Sequence, residues 1–133
     1  MIDQTLHNIS INKTDLLLQE CLSWLRLLDS FKQENAFLKT KLSELIDNNS
    51  SKDFLNEAEQ FQQAFITQDE FINEIIVDVR KQFDSLNSFE QLQQIADEKN
   101  LKQQQKLRNE IERLEINFTL TKNNFNKRVA KLS

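Results

Sequence analysis

The 133-residue chain contains no glycine and no proline. At ordinary usage, roughly 7% and 5%, a chain of this length would carry about nine of the first and about seven of the second. Glycine supplies positive φ in tight turns and lets backbone approach a ligand closely. Proline breaks helices and fixes turns. A chain without either is built from long helices joined by short polar connections. The same absence excludes the glycine-dependent phosphate loops, nucleophile elbows and EF-hand calcium loops.

The remaining composition suits one helical domain. The chain is 38% hydrophobic and 29% charged, with ten Phe and one Trp, which is enough apolar material for a core. No apolar run exceeds the length of Leu16-Leu17-Leu18, far short of the ~20 residues of a membrane span. The start, MIDQTLHNIS, has no basic segment followed by an apolar one, so no signal peptide is expected. The single Cys21 has no internal disulfide partner and sits on an apolar helical face, where a buried reduced thiol is expected. These features point to a cytoplasmic protein. The scarcity of Gly, Ala and Arg beside abundant Asn, Lys, Ile and Phe fits a bacterial, AT-rich genome.

The 3–4 spacing of apolar residues gives the helices. Residues 1–13 are polar and short of helix signals, and are expected to form a flexible N-terminal arm. The bundle domain then covers 14–133. Helix one, about 14–47, places Leu17, Trp24, Phe31, Leu38 and Leu45 at heptad position d and Cys21, Leu28, Asn35 and Leu42 at a. Asp47-Asn48-Asn49-Ser50-Ser51 is the clearest turn, with Ser50 and Asp53 marking a helix start. Helix two, from about 51, carries Phe54, Ala58, Phe61, Phe65, Gln68, Ile72, Ile75 and Val79, then Gln82 or Phe83, then Leu86. A second break falls within 84–100, either at Asp84–Ser88, where Ser88 and Gln91 form a capping box, or near Ala96–Asn100, where the heptad phase is lost. Helix three, to about 132, carries Leu107, Ile111, Leu114, Phe118, Thr121 and Phe125.

Three long helices with short connections run up, down and up. The expected fold is all-α: an antiparallel three-helix bundle or coiled coil, alone or completed by dimerisation. Its expected core comprises Leu17, Trp24, Leu28, Phe31, Leu38, Phe61, Phe65, Ile72, Ile75, Val79, Leu107, Ile111, Leu114, Phe118 and Phe125. Charge is unevenly spread. Residues 1–50 carry net −2, residues 51–98 net −8 and residues 99–133 net +6. The acidic middle and the basic last third are expected to face each other as antiparallel neighbours.

Two features suggest contact with another chain. Gln33–Leu42 resembles a leucine-zipper segment, with Asn35 at a among leucines. A lone Asn there costs stability and either fixes register and oligomer state across a dimer seam or makes a polar contact within its own chain or with solvent. The residues before it lack the basic run of a zipper-type DNA reader, with only Arg26 from Leu16 to Leu28. The start of helix one is also apolar almost all round. One face packs inside, and the surplus face of Leu18, Leu22 and Leu25 is then a partner or dimer surface.

Other functions find less support. The basic stretch Lys122, Lys127, Arg128 and Lys131 has Phe118 and Phe125 interleaved, but seven residues apart they belong to the core stripe, and nucleic acid is the weakest partner reading. Glu70, Glu74 and Asp78 form an acidic row that a solvated helix face explains. The only histidine is His7, so neither a di-iron bundle nor a Cys–His dyad is expected. We expect no enzyme activity, no cofactor, no metal, no small-molecule substrate and no membrane association. The leading expectation is a protein–protein interaction module (adaptor, scaffold or assembly factor) that also self-associates as a homodimer. The alternative is a chaperone-like or regulatory helical hairpin that holds a partner helix.

Overall fold

A nucleated helix gains one hydrogen bond for each residue it adds and continues until its sequence stops it. The computed structural model describes residues 2–49, 51–93 and 98–132, with side chains over 13–49, 51–88 and 98–132. The described residues form α1 (Ile2–Asn48), α2 (Lys52–Gln93) and α3 (Glu98–Leu132), with no strand among them. The chain is an all-α three-helix bundle. α1 starts twelve residues before the expected start at 14. Residues 2–13 continue the helix, with no glycine or proline to interrupt it as it propagates from the packed stretch that follows.

The first connection is polar, as its composition requires. The Asn49 amide donates to the Leu45 carbonyl at 2.7 Å, closing the end of α1. The Ser51 hydroxyl accepts the Phe54 N–H at 3.4 Å, so Ser51 caps α2. The expected capping residue, Ser50, lies outside the described residues. α2 runs to Gln93 and α3 begins at Glu98; residues 94–97, inside the window expected for the second break, lie outside the described residues. Asp84–Ser88 stays helical despite its poor propensity, because Leu86 is fully buried and Ser85 is bonded to Asn100 on α3. Tertiary packing overrides local preference here.

The chain divides into two compact units, and each helix contributes a segment to both. Unit 1 comprises Met1–Leu28 and Glu74–Ile111. Its core holds Leu18, Cys21, Trp24 and Leu28 of α1, Ile75, Val79 and Leu86 of α2, and Leu107 and Ile111 of α3. Unit 2 comprises Asp29–Asn73 and Glu112–Ser133. Its core packs Leu38, Leu42, Phe54, Ala58, Phe65, Phe118 and Phe125, with Phe31, Phe61, Leu45 and Val129 against them. Phe61 and Phe65 each meet Phe125 edge-on at 5.3 Å, and Phe31 lies 4.9 Å from Phe118. Such ring pairs add about 0.5–1.5 kcal/mol each beyond their buried area.

Twelve of the fifteen expected core residues are buried; Leu17, Phe31 and Phe61 are half-buried. The informative departure is at Leu17 and Leu18. The core stripe of α1 passes through Thr14, Leu18 and Cys21, so Leu18 is inside and Leu17 is at the edge. Leu18 is therefore core rather than contact surface. Leu22 is 41% exposed and Leu25 is half-buried.

Leu18→Ala should lower unfolding free energy by about 2–4 kcal/mol, as a core truncation does. Leu22→Ala should change it by less than about 0.5 kcal/mol. Urea unfolding followed by circular dichroism measures both. Equal costs at the two positions would contradict this placement of the stripe.

Candidate interaction site

Each unit contains a layer of buried amides at heptad positions otherwise held by apolar residues. In unit 1 the layer centres on Gln104 of α3. Its Nε2 donates to the Leu17 carbonyl at 3.1 Å and to Glu20 Oε1 at 2.9 Å. Its Oε1 accepts from Gln82 Nε2 at 3.0 Å and from the Cys21 thiol at 3.8 Å. All the hydrogen-bonding capacity of the side chain is used. Gln82 also donates to the Asn100 carbonyl at 2.9 Å. Arg108 meets Glu20 through Nη2 at 2.5 Å and Nε at 3.1 Å, and its guanidinium lies 5.9 Å from the centre of the Trp24 ring.

This layer decides the chemistry of its ionisable groups. Burial pushes the Cys21 thiol up to about 11, against a smaller downward effect of the Gln104 bond, and the Glu20 charge adds to the rise. The thiol is protonated at neutral pH and is a poor nucleophile. Burial also pushes the Glu20 carboxyl up, but the bonds from Arg108 and Gln104 and the Arg108 charge outweigh it and hold the group below its ordinary value.

In unit 2 the layer centres on Asn35. Its Nδ2 donates to the Phe65 carbonyl at 2.8 Å and to Asp69 Oδ1 at 2.7 Å, and its Oδ1 accepts from Gln68 Nε2 at 2.8 Å. Lys39 pairs with the other Asp69 oxygen. Burial raises Asp69, but the Lys39 and Asn35 bonds and the charges of Lys39 and Lys32 hold its carboxyl below the ordinary range. The polar partners of Asn35 are therefore on α2 of its own chain. Leu18 and Asn35, both expected at a contact surface, are internal.

The open surface lies elsewhere. Between α2 and α3 of unit 2 runs a groove of about 740 Å³ lined by Ala64, Thr67, Phe71, Leu114, Asn117 and Thr121, with Gln60, Gln63 and Arg113 also lining it. Gln68 lines it too, and its buried Oε1 has no hydrogen-bond partner. A further groove of about 490 Å³ shares Gln60, Ala64 and Thr121 and extends the depression to Glu57, Phe61 and Asn124. From Glu57 to Phe71 the path along α2 is about 21 Å, four helical turns. Leu120 is 57% exposed and shares a face of α3 with Asn117 and Asn124 by helical spacing. The α2–α3 seam is bridged at its Glu57 end, by Glu57–Arg128 and Phe61–Phe125, and the other two seams of this unit are bridged by Lys39–Asp69 between α1 and α2 and by Phe31–Phe118 and Glu34–Lys122 between α1 and α3.

Sequence reading did not find this groove, because neither Ala64 nor Asn117 stands out until α2 and α3 are paired. Among the described residues there is no group of His, Cys, Asp and Glu able to hold a metal, and no helix is long and apolar enough to cross a membrane. The chain matches no protein family, no curated protein and no solved structure.

Asn35→Leu should destabilise the chain by about 1–3 kcal/mol, because it strands the buried Gln68 amide. Adding Gln68→Leu should recover most of that loss. A higher urea midpoint for the single variant would instead favour the intermolecular register role. A second expectation concerns acid. The carboxyls of Asp69 and Glu20 are lowered in the folded chain, so the unfolded chain takes up protons first as pH falls. Their stabilisation is fully present above the ordinary carboxylate range and is lost as pH drops through their folded values. Urea midpoints of wild type and Asp69→Asn should therefore differ at neutral pH and converge as pH falls through the carboxylate range.

Proposed function

We propose that this chain is a non-enzymatic protein–protein interaction module that receives an amphipathic helix of another protein between α2 and α3 of unit 2. The observation that carries this reading is the open, largely apolar groove at Ala64, Phe71 and Leu114. Four turns of a partner helix match its length, and a fourth helix is the usual completion of such a seam. The partner would present an apolar stripe to Ala64, Phe71 and Leu114. Exposed Leu120 would extend the apolar contact along α3. This reading keeps the adaptor or helix-holding role expected from composition and moves its site from α1 to the α2–α3 seam.

The test is affinity capture of the tagged full chain from its native host's lysate, with the mass of the intact complex determined. Ala64→Arg should abolish stoichiometric retention of a foreign protein without loss of helicity, and Leu22→Glu should leave it intact. Retention lost only in Leu22→Glu would return the contact to α1. Recovery of the chain alone as a dimer that Ala64→Arg dissociates would make the occupant a second copy.

A further inference from the structure

A second cavity, in unit 1, has the opposite character. It is an open depression of about 820 Å³ between α2 and α3, and four of its ten lining residues are lysines: Lys81, Lys99, Lys102 and Lys106. All the others are polar or acidic, with no aliphatic or aromatic residue in the lining among the described residues. Ser85 and Gln103 offer neutral polar groups at the same wall. The Ser85 hydroxyl is held by Asn100 Oδ1 at 3.1 Å, and the Gln82 amide is fixed on Asn100 and Gln104. Two carboxylates share the cavity, Asp78 and Glu98. Glu98 is matched by Lys102 at 3.3 Å. Lys81, Lys99 and Lys106 make no ion pair among the described residues. An anion seated among these side chains gains Coulomb attraction from the ammonium groups around it.

We infer that this cavity binds a compact polyanion, of which a polyphosphate chain is the simplest. Its volume lies in the range of small-ligand sites. Its lining offers oxyanions both charge and hydrogen-bond donors. The chain as a whole carries net −4, so overall charge repels anions and only the local arrangement attracts them. With no aromatic residue in the lining, recognition stops at the phosphates. A free polyphosphate and the polyphosphate arm of a nucleotide are then bound alike.

The test is calorimetric titration of the full chain with tripolyphosphate, with ATP and with adenosine, at low and at physiological salt. Tripolyphosphate and ATP should bind with similar affinity, weakening as salt rises, and adenosine should not bind. Lys99→Gln and Lys106→Gln should each weaken binding about two- to fivefold, the range of single exposed ion pairs. Asp78→Asn should tighten it, which a merely structural effect of the substitution would not do. Lys127→Gln, in unit 2, should leave it unchanged. Absence of binding at millimolar tripolyphosphate would overturn the inference. So would equal weakening by Lys127→Gln, the mark of diffuse charge, or ATP binding markedly tighter than tripolyphosphate, which would require a base pocket.

Discussion

A buried amide has to meet a particular partner, and in this chain that requirement sets how the helices pair. Leucine, isoleucine and phenylalanine at heptad positions are nearly interchangeable under a shift of seven residues, because one apolar layer resembles the next. Gln104 and Asn35 are not interchangeable in that way. Moving α3 by one heptad would take Gln104 from the Leu17 carbonyl, Glu20, Cys21 and Gln82 together. Each buried polar group so stranded costs about 1–3 kcal/mol, which is large against a total stability of about 5–15 kcal/mol. The apolar stripes supply most of the driving force for burial and little of the register. The amide layers supply register and little net stability, which is the best-attested role of polar groups in helical cores.

Ion pairs follow the amides rather than lead them. The division into an acidic middle and a basic last third suggested that α2 and α3 attract each other along their length. Among the described residues, only Glu57–Arg128 joins those two helices as a salt bridge. The basic residues Arg108 and Lys122 of α3 pair with Glu20 and Glu34 of α1 instead. Each such surface pair contributes about 0–1 kcal/mol. Their value is directional: Glu20 is held at once by Arg108 and by Gln104, so the salt bridge and the amide layer of unit 1 share one carboxylate.

Helix content, three-helix topology and most core positions were legible in the sequence, because they follow from apolar spacing and from the lack of glycine and proline. What was not legible has a common cause. Asn100 and Gln104 hold core positions of α3, but as polar residues they read as solvated surface, so the start of that helix lost its phase on paper. Gln82 rather than Phe83 continues the stripe of α2, since only Gln82 can complete the amide layer of unit 1. Leu17 and Leu18 are chemically identical, and which of them turns inward depends on neighbours far along the chain. Asn35 was recognisable as a register residue, but its partners on α2 were not, because pairing across 30 to 34 residues is a property of the fold. The lysine cavity is a product of pairing for the same reason: Lys81 meets the face of Lys99 and Lys106 only once α2 and α3 lie antiparallel.

The open seam of unit 2 fits this division of labour. The register of α1 against α2 is fixed by Asn35, Gln68 and Asp69, and α1 and α3 are joined by Phe31–Phe118 and Glu34–Lys122. At the other end of the α2–α3 seam, Phe125 packs on Phe61 and Phe65, and Arg128 lies 5.6 Å from the centre of the Phe54 ring. With these contacts in place, Ala64 can stay small without loss of the unit's core. Ala64 leaves room that a leucine would fill, and filling such space commonly stabilises a protein. A position kept small beside Phe71 and Leu114, next to a buried carbonyl oxygen of Gln68 with no partner, forgoes packing inside the chain. It is the arrangement expected where the missing atoms belong to another helix.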